Sequence, residues 1–202
     1  MSMGSKIDPT SWCSGSPFLD RNPDLDCARQ VLRAYRPDEP SQERLRQEIL
    51  GFIDEHPRTA HLRSCLEGHL TASALVAEEG TGRVLLMHHR KLNKWLQPGG
   101  HCDGDANLPG VALREAVEES GIETLRILPE VIDVDIHPIP ERLGEPAHRH
   151  LDTRFIVLAR RGATPRQNVE SNDLRWLTVE EALALGVDDS VARLFRCVSG
   201  AF

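Results

Sequence analysis

The segment PGGHCDGDANLPGVALREAVEESGI, residues 98–122, joins a glycine-rich loop to a strongly patterned helical stretch. A helix is predicted over residues 109–120, because Pro suits the first helical turn and Gly121 suits the position after the last one. At about 100° per residue, three glutamates share an arc of roughly 100° on one face of this helix. They are Glu115, Glu118 and Glu119. The opposite face is small and largely apolar, so the helix is predicted to pack on a sheet and to present a cluster of carboxylates.

Three carboxylates at positions i, i+3 and i+4 repel one another, whereas a plain solvated helix face would interleave Lys at these spacings. The simplest alternative is an acidic, solvent-exposed surface. The loop before the helix favours a binding site instead, because Gly99 and Gly100 let the backbone approach a ligand closely. Hard carboxylate oxygens suit Mg²⁺ or Mn²⁺, and such ions assist phosphate chemistry. The pattern therefore predicts a divalent-cation site.

Gly100, Ala106 and the run REAVEESGI at residues 114–122 resemble the signature box of the Nudix hydrolases. That box reads Gly-x5-Glu-x7-Arg-Glu-U-x-Glu-Glu-x-Gly-U, where U is an aliphatic residue. The resemblance keeps its register over 23 consecutive residues and extends over about residues 67–187. It implies a mixed curved sheet sandwiched between helices, and hydrolysis of a nucleoside diphosphate linked to another moiety, X.

The same resemblance implies roles for the helix residues. Glu115, Glu118 and Glu119 would ligate a Mg²⁺ or Mn²⁺ cofactor, and Arg114 would orient these carboxylates by charge-assisted hydrogen bonds. One position of the box departs from the pattern, since its first Glu is Ala106 here. In the family that Glu pairs with the box Arg and supports the loop.

A carboxylate near Ala106 is expected to take over the pairing with Arg114, and the sequence offers both Asp103 and Asp105. A general base is expected beyond the helix at Glu170, for which a solvated loop position is the alternative. Glu170 is therefore grouped with the predicted catalytic residues, which are Arg114, Glu115, Glu118, Glu119 and Glu170.

The stretch at residues 148–154 is predicted as a strand whose alternate side chains form one polar row. The row contains His148, His150, Asp152 and Arg154. It is suited to reading a substrate phosphate or sugar or to holding a metal, and an exposed polar face is the alternative. The predicted substrate-binding residues are Gly99, Gly100, His150, Asp152 and Arg154.

A His-x-His pair is weak support for zinc by itself, because the sequence identifies no third and fourth ligand. His69 and His101 are expected to make local hydrogen bonds.

The predicted fold class is α/β (α+β), a mixed sheet with an N-terminal helical extension. Residues 1–66 are interpreted as an irregular lead-in followed by two helices, over residues 23–35 and 41–56, that pack on the main domain at residues 67–202. Strands are predicted at 70–77, 83–88, 125–128, 131–137, 150–158 and 174–177. Short helices are predicted from Thr178 and over about 189–198.

The chain has 202 residues, with 24 Lys and Arg against 31 Asp and Glu, a formal net charge of −7. This balance disfavours binding of a long nucleic acid or an anionic membrane by bulk charge. The apolar runs are far too short for a membrane span, and no secretory signal is evident. Five scattered cysteines without a CxxC pair fit reduced thiols. These features predict a soluble, cytoplasmic protein whose N-terminal helices either cap the fold or mediate a homodimer.

Three functions remain open at the level of sequence. The first is Mg²⁺-dependent hydrolysis of a diphosphate linkage in a small nucleotide derivative. The second is a Nudix-like domain that binds or senses a nucleotide without cleaving it. This alternative is considered because Ala106 replaces the first Glu of the box. The third is pyrophosphohydrolysis at the 5′ end of an RNA, which the acidic net charge disfavours.

Overall fold

The computed structural model describes residues 11–141 and 144–198. Within these residues a short 3₁₀ helix at Pro17–Leu19 precedes five α-helices. They are α1 (Leu25–Ala34), α2 (Pro40–Glu55), α3 (Leu108–Ser120), α4 (Val179–Ala184) and α5 (Asp189–Val198). The strands are β1 (Trp12–Cys13), β2 (Gly68–Glu78), β3 (Arg83–His89), β4 (Lys94–Leu96), β5 (Gly99–His101), β6 (Arg126–Ile139), β7 (His148–Ala159) and β8 (Ser171–Leu177).

The strands form one mixed sheet in the order β1-β6-β7-β2-β3-β4, with β5 added to β2 and β8 added to β3. Its centre is the parallel pair β2 and β7, and the other strand pairs are antiparallel. Every residue of β2 is buried, as expected for a strand covered on both faces. The predicted fold class, a mixed α/β sheet between helices, is confirmed.

Two hydrophobic clusters occupy the two faces of this sheet. Helices α1, α2 and α3 pack on the face that carries Leu70, Ala72 and Ala74. Helices α4 and α5 pack on the other face, around Leu75 and Ala77. Because side chains of β2 alternate between the faces, α3 lies across the sheet from α5.

Helix α3 begins one residue earlier than predicted and ends at the predicted residue. Its N-cap is Asn107, whose side chain accepts a hydrogen bond from the backbone N–H of Gly110. Gly121 ends it in the left-handed conformation, with a φ of 64°. Both caps follow the residue types that favour them.

Three local features differ from the prediction. The two strands predicted at residues 125–128 and 131–137 form a single strand, β6, whose pairing with β7 is irregular between Leu128 and Asp133. The lead-in contains the short strand β1, which pairs with β6. The segment before α3 contains β4 and β5, so Gly99 and Gly100 belong to the sheet and are not part of a flexible loop.

None of the helices in the described parts of the chain combines the length and apolar character that a membrane span requires.

Candidate active site

The three glutamates of α3 lie beside the edge of β5, in three different environments. Glu119 is only 5% exposed, and its Oε2 accepts a hydrogen bond of 2.9 Å from the backbone N–H of Gly99. Glu115 is half-buried and so close to Gly100 that a Cβ on this glycine would lie 2.3 Å from Glu115 Oε2. Glu118 is exposed. The sheet edge and the helix face therefore bring carboxylate oxygens together around the two glycines.

Burial and mutual repulsion disfavour charge on this cluster. The pKa of Glu119 is raised to about 8, chiefly by burial; the Gly99 N–H opposes this rise, and the nearby charges of Glu115, Glu170 and Glu118 contribute to it. Burial also raises the pKa of Glu115 to about 7, with Glu118 as the next cause. A bound cation stabilises the charged form of such buried, closely spaced carboxylates, because it offsets both their desolvation and their mutual repulsion.

Glu170 lies in an exposed position just before β8, and the backbone N–H of Arg90 donates a 2.9 Å hydrogen bond to its carbonyl oxygen. Its charge acts on both Glu115 and Glu119. The structure thus brings Glu170 near the helix carboxylates although 51 residues (170 − 119) separate it from Glu119 in the sequence. Its role as a base stays a prediction.

Asp105 supplies the carboxylate that the box lacks at position 106. Arg114 Nη1 donates to Asp105 Oδ2 at 3.1 Å, and this Asp is almost completely buried. The backbone N–H groups of Asn22 and Asn107 donate to Asp105 Oδ1. Of the two alternatives left open by the sequence, Asp105 is therefore the partner. Asp103 instead pairs with Arg63 at 2.7 Å.

Restoring the missing glutamate should destabilise the protein. Ala106 is fully buried among apolar side chains, so the Ala106→Glu side chain would overpack the core and bury a carboxyl group beside one that already holds Arg114. We expect the free energy of unfolding to fall by roughly 1–3 kcal/mol, measured by urea denaturation. Ala106→Ser, a small polar change, is the matched control and should cost less. A stabilised Ala106→Glu variant would contradict this account of the box.

The face of the sheet that points away from α3 carries a cavity of about 580 Å³. Gly99 and Gly100 line one side of it, so the two glycines connect the cavity with the glutamates on α3. Polar and apolar side chains share the rest of the wall, including Asp135, His137, His150, Asp152, Leu96 and Ile139. The predicted substrate-binding residues all border this cavity.

Two of the predicted substrate-binding residues, Asp152 and Arg154, belong to a buried network of hydrogen bonds and ion pairs. Asp152 accepts hydrogen bonds from the hydroxyls of Thr71 and Ser73, at 3.0 and 2.7 Å. Arg154 is 3% exposed and directs its donors to protein acceptors, among them Asp152 at 2.8 Å and Asp133 at 3.2 Å. Burial raises the pKa of Asp133, against the lowering effect of its hydrogen bond from Arg193. This network holds the side chains of Asp152 and Arg154 in place where they line the cavity.

Sequence reasoning missed the partners that surround Arg154. Asp133 and Asp135 lie on β6, and the register pairs them with Arg154 and Asp152 of β7. Arg193 and Ser190 reach the same cluster from α5. The alternation Asp133, Asp135, His137 was a usable signal, because it places a second polar row on a predicted strand.

The sequence matches the NUDIX domain family over residues 68–196. This match covers well over half of the chain, and the chain belongs to the Nudix family. Among curated proteins, none matches the sequence at a significant level.

Solved structures share the fold at low sequence identity. An Ap4A hydrolase of C. elegans in a binary complex is 20% identical, with a TM-score of 0.53 over 65% of this chain and 96% of that one. The dihydroneopterin triphosphate pyrophosphohydrolase of E. coli is 20% identical, with a TM-score of 0.52 over 63% and 92%. A NUDIX-family hydrolase from Clostridium perfringens is 20% identical, with a TM-score of 0.51 over 66% and 98%. These likenesses concern the fold.

Proposed function

We propose that this protein hydrolyses a diphosphate linkage in a small nucleoside diphosphate-X compound, with Mg²⁺ or Mn²⁺ as cofactor. The observation that carries the proposal is the position of Gly99 and Gly100. They separate the carboxylates of α3 from the cavity on the other face of the sheet by the thickness of one backbone. A ligand in the cavity can therefore extend a phosphate chain past these glycines toward the glutamates.

The residues present fit a hard divalent cation. Glu115, Glu118 and Glu119 offer only oxygen donors, and burial raises the pKa of Glu115 and Glu119, so a bound cation would favour their charged forms. When bound, such an ion neutralises the charge of the phosphate oxygens and lowers the pKa of water.

The protein's own groups then have separate tasks. The Gly99 N–H fixes the Glu119 carboxylate, and the absence of a side chain on Gly100 leaves room for that of Glu115. The Arg114–Asp105 pair ties the middle of α3 to the turn that precedes the helix, so it positions the helix. Glu170 is the proposed general base, because it is exposed and near both buried glutamates.

The size of the cavity supports a small ligand. A volume of about 580 Å³ lies within the usual range for small-molecule sites. Its wall offers acceptors at Asp135 and Asp152 and apolar surface at Leu96 and Ile139, a combination suited to a sugar or base. The alternative of a non-hydrolytic binding domain loses its main support, because Asp105 provides the contact that Ala106 cannot.

The function is tested by incubating the full chain with Mg²⁺ or Mn²⁺ and a panel of nucleoside diphosphate-X compounds, nucleoside triphosphates, dinucleoside polyphosphates and 5′-triphosphorylated RNA. Products are identified by mass. Turnover of a small diphosphate compound supports the proposal. Cleavage of the RNA alone favours 5′-end processing, and tight binding without turnover of any compound favours a sensor.

The stability of the protein should respond to Mg²⁺ more strongly as the pH rises. The pKa values of Glu115 and Glu119, about 7 and about 8, lie above their ordinary value in the unfolded chain. Between about pH 4.5 and 8 the folded, metal-free protein therefore binds more protons than the unfolded chain, and its free energy of unfolding falls as the pH rises. Mg²⁺ competes with these protons, so the rise in Tm that it causes should be larger at about pH 8 than at about pH 6.

Differential scanning fluorimetry with and without Mg²⁺ measures this effect. The Glu119→Gln variant is the control, because it removes one of the two titrating groups and should flatten the pH dependence. An Mg²⁺ shift that is equal at both pH values, or larger at the lower one, would contradict the assignment of these carboxylates.

The proposed cytoplasmic location rests on the thiols. All five cysteines are free in the structure, and Cys13 and Cys197 are exposed. Exposed free thiols are typical of a reducing compartment.

A further inference from the structure

Five of the nine histidines of the chain meet at one end of the polar sheet face. They come from four strands, as His69 on β2, His101 on β5, His137 on β6, and His148 and His150 on β7. The register places His69 and His137 directly beside His150, on its two neighbouring strands. The ring centroids of adjacent pairs are 4.8 to 5.3 Å apart. We call these residues the histidine cluster.

The nitrogen atoms of the histidine cluster have the spacing of a metal site. His101 Nε2 lies 3.2 Å from His150 Nε2, and His148 Nε2 lies 3.3 Å from the same atom. His69, His101 and His150 each offer a ring nitrogen within 4.8 Å of the others. Zn–N bonds of about 2.0–2.1 Å in a tetrahedron put neighbouring ligand nitrogens about 3.3 Å apart. Small movements of His69 would therefore complete such a site.

Hydrogen bonding within the protein leaves His69 unsatisfied. This residue is 3% exposed, and neither ring nitrogen has a hydrogen-bond partner among the described residues. The backbone of Cys65 raises the pKa of His69, against the larger lowering effect of burial. A buried imidazole with both nitrogens unpaired is costly, and coordination of an ion by one of them lowers that cost.

The imidazoles are also held in the form that binds metals. Burial lowers the pKa of His69, lowers that of His101 to about 4 and lowers that of His150 to about 2, with neighbouring histidines and Arg63 as further causes. Burial therefore favours the neutral imidazole, the form whose ring nitrogen can bind a metal. His148 Nδ1 contacts the carbonyl oxygen of Pro146 at 2.8 Å, and the ring of His148 stacks on His69 at 4.8 Å. The three residues whose ligand atoms all lie within 4.8 Å of one another do not include His148, whose ring lies beside them.

We propose that His69, His101 and His150 form a second metal site, for a divalent transition-metal ion of the Zn²⁺ class, with its fourth position open to the cavity. Three neutral nitrogen donors suit Zn²⁺ and are poor ligands for Mg²⁺, which prefers oxygen. The site is thus chemically distinct from the glutamates on α3. Three protein ligands and one open position are typical of zinc sites that bind a water or a substrate group.

The site is tested on the full chain without a polyhistidine tag, after removal of metals with a chelator. Calorimetric titration with Zn²⁺ in the presence of excess Mg²⁺ should show one bound ion. Titration with Co²⁺ should give the intense visible absorption of a four-coordinate complex. His150→Asn and His101→Asn should each weaken Zn²⁺ binding by about 100-fold or more, because loss of even an outer-shell partner costs about 10–100-fold.

Two control variants locate the ion. Glu118→Gln changes an exposed glutamate of α3 and should leave Zn²⁺ binding intact. His88→Asn changes a histidine outside the cluster, beside Trp95, and should also leave it intact. Far-ultraviolet circular dichroism of the metal-free variants checks folding, and both substitutions fall at half-buried positions.

Three results would overturn the inference: no Zn²⁺ binding at all, a weak six-coordinate Co²⁺ spectrum, or binding that is lost in Glu118→Gln and retained in His150→Asn. Each of them leaves hydrolysis with Mg²⁺ untouched, so failure of this site and failure of the proposed function are separate outcomes.

Discussion

Replacing Glu119 by Gln should lower kcat for the diphosphate substrate by at least about 1,000-fold, while the protein stays folded. The substitution keeps the size of the side chain, and the new amide oxygen can still accept the hydrogen bond from Gly99. It removes the negative charge that the cation requires, at the most deeply buried of the three glutamates.

Stability should change in the opposite sense to activity. In the metal-free protein the pKa of Glu119 is about 8, so this carboxyl group is largely protonated at pH 7 and resembles an amide. The Tm of metal-free Glu119→Gln should therefore match that of the unchanged protein at about pH 7 and exceed it above pH 8, where the unchanged protein carries a buried charge.

Steady-state kinetics with Mg²⁺ and thermal unfolding measure the two effects. Glu123→Gln is the matched control, since Glu123 is exposed just beyond the end of α3 and should retain full activity. If Glu119→Gln kept most of its activity, the metal site would have to be placed elsewhere.

Local patterns carried most of what could be predicted from the sequence. Helix α3 was predicted almost to the residue, because its Pro, its Gly121 and its glutamate spacing are all local signals. The Nudix resemblance rests on the same contiguous segment. Even there the sequence left Asp103 and Asp105 as alternatives, and their contacts depend on how the turn folds. Asp103 adopts a φ of 46° and points to Arg63, whereas Asp105 lies against Arg114.

Features assembled across strands could not be predicted in this way. The histidine cluster combines residues as far apart as His69 and His150, and their proximity follows from the parallel pairing of β2 with β7. A sequence without strand order does not show which polar rows become neighbours. The same holds for Arg154, which lay in a predicted row while its partners Asp133 and Ser190 belong to β6 and α5. The pairing and register of the strands, more than the residue types, determine which side chains meet in these sites.

Gly99 and Gly100 should respond to alanine in opposite ways, although they are neighbours on the same short strand. Neither has a positive φ, so any effect of a Cβ is steric. At Gly99 the new Cβ would lie 2.3 Å from Ser73 Cβ and 2.8 Å from Ser73 Cα. These atoms belong to the central strand β2 and cannot move without disturbing the sheet. Gly99→Ala should therefore lower the free energy of unfolding by about 3 kcal/mol.

At Gly100 the three atoms nearest to the new Cβ all belong to the side chain of Glu115, with Oε2 at 2.3 Å. The end of a flexible side chain can swing away, so Gly100→Ala should fold with nearly unchanged stability. The carboxylate of Glu115 would, however, be displaced by more than 1 Å from its place in the cluster, and a displacement of this size typically costs about 100-fold in rate. Urea denaturation and kcat measured on both variants separate the two effects. A Gly100→Ala variant that is fully active would show that the position of Glu115 beneath the glycine has no part in the reaction.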